Sequence, residues 1–143
     1  MTEEEYQILE DLYMMKWPAE KRRTSSPMKR CEALYKLAKA AKGGVIVELG
    51  TYHGAGAVAL AFGARAGHRM PVYTVDDYIE RAGWVGEKYY PQDRERFFDC
   101  VAHAGVEVEL IQKNATEAGE GWSDPVSLLS WDLGVKERFL ILL

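Results

Sequence analysis

The chain has 143 residues, of which 48% are hydrophobic and 28% charged, with a formal net charge of −4. This is the size and balance of one soluble globular domain, which excludes a two-domain enzyme, and the negative charge predicts no nucleic-acid partner. The N-terminus is acidic where a signal peptide is basic, and no apolar run approaches the ~20 residues of a membrane span, so a cytoplasmic protein without a membrane partner is expected.

The first 43 residues are predicted to form two helices. Thr2 and Glu5 have the spacing of a capping box, and an amphipathic run follows until Trp17-Pro18. Ser26-Pro27 then begins a second helix, with serine as N-cap and proline in the first turn, which ends at Gly43-Gly44. We treat residues 1–43 as the helical start of a single domain whose α/β core is 44–143.

The core is predicted from short β-branched runs that alternate with helical segments. Such alternation indicates an α/β fold, a Rossmann-like three-layer α/β/α sandwich with a mostly parallel sheet and right-handed crossovers. The four predicted strands are Val45–Val47, Val72–Val75, Val106–Ile111 and Val126–Trp131. The predicted helices of the core are Ala55–Ala66, Gln92–Ala104 and a last one from Val135 onward.

Two local features of the sequence, a basic run and a pair of cysteines, do not indicate a binding site. The dense basic run Lys21 to Arg23, with Lys29 and Arg30 close behind, is typical of a solvated stretch that flanks a helix. Cys31 and Cys100 lie far apart and have no partnered cysteine or histidine, so neither a disulfide framework nor a zinc site is indicated.

A glycine-rich turn follows the first strand, in the sequence Glu48-Leu49-Gly50-Thr51-Tyr52-His53-Gly54. In parallel α/β folds, ligands bind beyond the carboxyl ends of the strands, where backbone N–H groups of such a turn approach them closely. The phosphate-binding loop of nucleotide hydrolases needs a Lys-Ser/Thr pair, which is absent, and the dehydrogenase G-x-G-x-x-G spacing also fails.

The segment from Val45 to Gly54 closely resembles motif I of class I S-adenosylmethionine-dependent methyltransferases, most of all their small-molecule O-methyltransferase branch. The resemblance covers roughly residues 30–138. It implies that S-adenosylmethionine is the cofactor and that a small molecule accepts the methyl group. It also implies the strand order three-two-one-four.

The resemblance extends to later strand ends. Asp76 occupies the acidic position that holds the cofactor ribose, the Asn114-Ala115 step faces the adenine amino group, and Asp132 is the acid near the substrate, a base or metal-ligand candidate. We assign no metal site. The implied cofactor-binding residues are Glu48, Gly50, Thr51, Tyr52, Gly54, Asp76, Asp77, Asn114 and Ala115, and the implied catalytic residue is Asp132. Of these, the resemblance assigns Glu48, Gly50, Thr51 and Gly54 to the methionine portion of the cofactor.

Each position also has a purely structural explanation. Glu48, Asp76 and Asp132 could cap the helices that follow them, and Asn114 could serve as a turn former. His53 could touch cofactor or substrate from within the loop. The segment 77–91, rich in aromatic residues and glycine, is either a lid over the site or an ordinary surface excursion.

The chain departs from the family near its end. The family has a seven-stranded sheet, whereas here the sequence stops soon after the fourth strand, so about four strands are expected. Strand four would then be an open edge, and an open edge invites association. We therefore expect either a homo-oligomer formed through strand four and the last helix, or a truncated, non-catalytic cofactor-binding domain.

Overall fold

The computed structural model describes residues 1–13, 25–82 and 88–133. In this part of the chain no helix is long and apolar enough to cross a membrane. The elements are α1 (Glu3–Tyr13), α2 (Ser26–Ala40), β1 (Val45–Leu49), α3 (Ala55–Ala66), β2 (Val72–Val75), β3 (Arg81–Ala82), β4 (Lys88–Tyr89), α4 (Asp93–Ala104), β5 (Glu109–Ile111) and β6 (Val126–Trp131).

Side-chain caps begin the two N-terminal helices. The capping box is confirmed: the Thr2 N–H donates to Glu5 Oε2 at 2.8 Å and the Glu5 N–H donates to Thr2 Oγ1 at 3.1 Å. The N-cap of α2 is Ser25 rather than the predicted Ser26, because the Ser25 hydroxyl accepts the Met28 N–H at 3.4 Å. The predicted stop at Trp17-Pro18 lies outside the described residues.

Four parallel strands form the main sheet in the order β5-β2-β1-β6. The predicted fold class and the order three-two-one-four are therefore confirmed. The register places Leu49 beside both Val75 and Trp131, and Val75 beside Ile111, so the four carboxyl ends share one edge. Strands β3 and β4 form a separate antiparallel pair within segment 77–91, which the sequence did not predict.

The two faces of the sheet are covered differently. Ile46 and the start of β2 contact one large core built from α1, α2, α3 and α4. Helices α2 and α3 pack closely, since a Cβ on Gly63 would lie 2.2 Å from the Tyr35 carbonyl oxygen. On the other face, Val47 and Val75 pack against Trp122 of the crossover that joins β5 to β6. Among the described residues this crossover contains turns and no helix.

Strand β6 lies at the edge of the four-stranded sheet, with Val126 and Leu129 exposed. Self-association through β6 stays a prediction. The expected helix from Val135 onward lies outside the described residues. Cys31 and Cys100 are both buried, and neither forms a disulfide bond.

Candidate functional site

The glycine-rich loop between β1 and α3 lies at the shared carboxyl edge and has unusual backbone angles. Gly50 has a φ of +87°, Tyr52 of +51° and Gly54 of +91°, all in the left-handed region. A Cβ on Gly54 would lie 2.7 Å from a ring carbon of Phe97, so both the angle and the packing require glycine there. The loop therefore turns sharply and exposes Tyr52, while helix α3 begins behind it.

Asp76, at the end of β2, holds this loop in place. One carboxylate oxygen, Oδ2, accepts the N–H groups of Thr51 at 2.9 Å and Tyr52 at 3.1 Å. The other, Oδ1, accepts the Tyr78 N–H at 3.0 Å. A charged acceptor with several N–H donors is a strong, directional anchor. Asp76 thus joins the ends of β1 and β2, and its predicted ribose contact would come in addition to these bonds.

Glu48 is buried directly beneath the loop, with 1% of its surface exposed. Its Oε2 accepts the Thr74 hydroxyl at 3.1 Å, and a Cβ on Gly56 would lie 2.2 Å from its Oε1. Burial raises the pKa of Glu48 to about 8, although Arg30 and Thr74 act in the opposite direction. The carboxyl group therefore holds its proton at neutral pH, and the predicted contact of Glu48 with the cofactor stays a prediction.

Arg30 lies inside α2 and forms an ion pair, which the interpretation of the basic run as a solvated helix-flanking stretch did not predict. Its Nη2 lies 2.6 Å from Asp132 Oδ2 and 4.0 Å from Glu48 Oε1. The sequence contains a signal for this: Arg30 lies one helical turn before Leu34, beside the buried face of α2. Burial raises the pKa of Asp132, and the Arg30 guanidinium partly offsets that rise.

Two further predicted residues, Asp77 and Asn114, come together at the ends of β2 and β5. The Asn114 side-chain amide donates to Asp77 Oδ2 at 3.2 Å, while its oxygen accepts the N–H and the hydroxyl of Thr116. Asn114 is therefore a turn former, as its structural explanation required, and it also contacts an acidic residue of the predicted site. Ala115 instead lines an apolar cavity of about 380 Å³ between the crossover and β6.

His53 has a partner that no sequence pattern indicated. Its Nε2 lies 2.8 Å from Oδ1 of Asp93, at the start of α4, and the other oxygen of Asp93 accepts the Tyr90 N–H at 2.8 Å. The imidazole stacks on Tyr52 with ring centres 3.7 Å apart. A carboxylate accepts a hydrogen bond from a ring N–H, so Asp93 orients the His53 imidazole through Nε2. This His53–Asp93 pair borders the loop.

Aromatic residues near both ends of segment 77–91 contact the glycine-rich loop. The Tyr78 hydroxyl donates to the Tyr52 carbonyl oxygen at 2.9 Å, and the Tyr89 ring meets the Tyr52 ring edge-on at 5.2 Å. Burial raises the pKa of Tyr78. The aromatic residues at both ends thus cover the loop, whereas Trp84, Gly83 and Gly86 lie outside the described residues.

A second cavity lies away from the predicted site. It has a volume of about 820 Å³, lies at the opposite end of the sheet near the starts of β2 and β5, and none of the predicted site residues lines it. Within residues 1–13, 25–82 and 88–133, no group of three or more histidine, cysteine or acidic side chains is arranged to hold a metal ion.

No family model matches the chain, and no curated protein matches it. A crystal structure of cofactor-bound Rv0187 from MTB is similar, with a TM-score of 0.62 and 21% identity, over 97% of this chain and 56% of that one. At this identity the likeness shows the fold alone. The present chain thus spans about half the length of that neighbour.

Proposed function

We propose that this chain binds S-adenosylmethionine and transfers its methyl group to a small-molecule acceptor. The observation that supports this most directly is the convergence, at one edge of a parallel sheet, of the glycine-rich loop with the side chains of Asp77, Asn114 and Asp132. These are positions to which the family resemblance assigns cofactor and acceptor contacts. The structural neighbour was crystallised with a cofactor, which supports a cofactor-binding role for this chain.

The available donors and acceptors fit the proposed cofactor. A ribose diol donates two hydrogen bonds, which suits the carboxylates of Asp76 and Asp77. The adenine contact that the resemblance assigns to Asn114 would require its side-chain oxygen to give up a bond, because the N–H and the hydroxyl of Thr116 already occupy both lone pairs. Tyr52, 44% exposed, offers an aromatic surface beside these groups. Glu48 supports the loop from below, and its contact with the cofactor stays a prediction.

The protein's share of methyl transfer is positioning and proton removal. When bound, the cofactor supplies an activated methyl group, so that its C–S bond breaks as a bond to the acceptor atom forms. An acceptor hydroxyl would lose its proton to a nearby base. Asp132 is the base that the resemblance implies, and the His53 imidazole, oriented by Asp93, is a second candidate base on the glycine-rich loop.

A second candidate function is cofactor binding without catalysis. One observation favours it: the Asp132 carboxylate is paired with Arg30. A base held in an ion pair is a weaker proton acceptor. Catalytic turnover distinguishes the two candidate functions, because only methyl transfer predicts it.

Methyl transfer can be measured with methyl-labelled S-adenosylmethionine and a panel of small phenols, carboxylic acids and amines. We expect label in at least one acceptor, and we expect Asp132→Ala to lower the rate about 100-fold or more, a typical effect of losing a general base. The Asp132→Ala protein must still bind S-adenosylhomocysteine. Cofactor binding with no transfer to any acceptor would favour the non-catalytic alternative.

A further inference from the structure

We propose that Arg30 binds the carboxylate of the cofactor's amino-acid portion and that this contact releases Asp132 from its ion pair. The inference rests on the proposed function and adds a cofactor residue that neither the motifs nor the resemblance assigned. It makes Arg30 a switch with two partners, Asp132 in the ligand-free protein and a ligand carboxylate in the complex.

The position of the guanidinium is the first support. A Cβ on Gly56 would lie 3.5 Å from Arg30 Nη2, so the Arg30 side chain reaches the first turn of α3. The Asp132 backbone lies against the glycine-rich loop, because a Cβ on Gly50 would be 2.9 Å from its carbonyl oxygen. Arg30 is therefore next to the loop that the resemblance assigns to the methionine portion.

The balance of charges is the second support. Arg30 carries the positive charge in this cluster, facing Asp132 at 2.6 Å and Glu48 at 4.0 Å. Glu48 is buried and holds its proton, so the Arg30 guanidinium forms its ion pair mainly with the Asp132 carboxylate. A planar guanidinium suits a ligand carboxylate, which it can bind through two parallel hydrogen bonds.

The exposure of the pair is the third support. The side chains of Arg30 and Asp132 are 39% and 46% exposed. Ion pairs with this much access to water are weak, so an incoming carboxylate can displace Asp132 at little cost. Once Arg30 turns to the ligand, Asp132 loses the neighbour that lowers its pKa, and it becomes a stronger proton acceptor.

Two ligands that differ only in the amino-acid portion test the proposal. S-adenosylhomocysteine contains the carboxylate, whereas 5′-methylthioadenosine keeps the adenosine and the sulfur but lacks it. Calorimetry should show Arg30→Met binding S-adenosylhomocysteine about 10- to 100-fold more weakly, the effect of losing a charged hydrogen-bonded pair, with 5′-methylthioadenosine affinity unchanged. Lys29→Met, which alters an exposed cation one residue away, should affect neither ligand.

A second variant separates the switch from a fixed clamp. Asp132→Asn removes the competitor for Arg30, so we expect S-adenosylhomocysteine to bind as tightly as to the wild type or several-fold more tightly. If Asp132 held the ligand's ammonium group instead, the same variant would bind more weakly, and the release of Asp132 would be disproved.

The remaining outcomes are also decisive. Equal losses for both ligands in Arg30→Met, or no loss for either, would overturn the carboxylate contact. If Arg30→Met fails to fold, Arg30→Lys can replace it, since lysine keeps the positive charge but lacks the planar guanidinium. Arg30→Lys should weaken the binding of S-adenosylhomocysteine and leave that of 5′-methylthioadenosine unchanged. If the wild-type protein binds neither ligand, the proposed function itself fails, which is a distinguishable result.

Discussion

Asp76→Ala should destabilise the protein by about 3 kcal/mol, because it leaves several N–H groups without their charged acceptor. The three N–H groups belong to Thr51, Tyr52 and Tyr78, so the loss separates the turn after β1 from the turn after β2. Two of the three residues have a φ in the left-handed region, at +51° for Tyr52 and +49° for Tyr78. Such strained residues depend on the contacts that hold them. Urea denaturation followed by circular dichroism measures the change.

Asp77→Ala is the matched control for this loss. The neighbouring Asp77 carboxylate accepts the Asn114 amide at 3.2 Å and the Ile79 N–H at 3.4 Å, which are longer and more exposed contacts. We expect it to cost about 1 kcal/mol or less. Equal destabilisation by the two variants would mean that Asp76 does not anchor the loop.

Glu48→Gln should stabilise the protein at slightly alkaline pH and have little effect near pH 4.5. Burial raises the pKa of Glu48 in the fold from 4.5 to about 8. Between these values the unfolded chain releases a proton that the folded protein keeps, so the wild-type stability falls as pH rises. The slope is at most about 1.4 kcal/mol per pH unit. Glutamine has no proton to lose and can keep the Thr74 contact.

The free energy of unfolding of both proteins, measured between about pH 5 and pH 8, reveals this linkage. The stability advantage of Glu48→Gln should grow across the range and reach roughly 4 kcal/mol at its upper end. Glu107→Gln makes the same chemical change at an exposed glutamate and serves as the control. A constant difference between Glu48→Gln and the wild type would show that Glu48 is ionised in the folded protein.

The strands could be predicted because their signals are local, whereas the strand order was implied by the family resemblance. Val45–Val47 is apolar on successive residues, which is typical of a strand covered on both faces. The start of α2 was predicted one residue late because Ser25 and Ser26 are both good N-caps, and only the Met28 contact distinguishes them. The β3–β4 pair has two residues in each strand, too few to show a period.

The site could be predicted only in part, because sequence patterns report strand ends and not long-range side-chain contacts. Asp77 and Asn114 were found because they lie just beyond the ends of β2 and β5, where the family resemblance implies cofactor contacts. His53 and Asp93 are 40 residues apart, and nothing in the sequence links them. The sequence places Arg30 beside the buried face of α2, but it does not identify Asp132 as the partner, because the two meet only through the pairing of β6 with β1.

Calorimetric titration of the purified wild-type protein with S-adenosylmethionine, and in parallel with NAD and ATP, tests the central claim most directly. We expect S-adenosylmethionine to bind with a dissociation constant on the order of micromolar, about −8 kcal/mol, and the two nucleotides not to compete for its site. A folded protein that binds NAD or ATP but not S-adenosylmethionine, or none of the three, would contradict the proposed function.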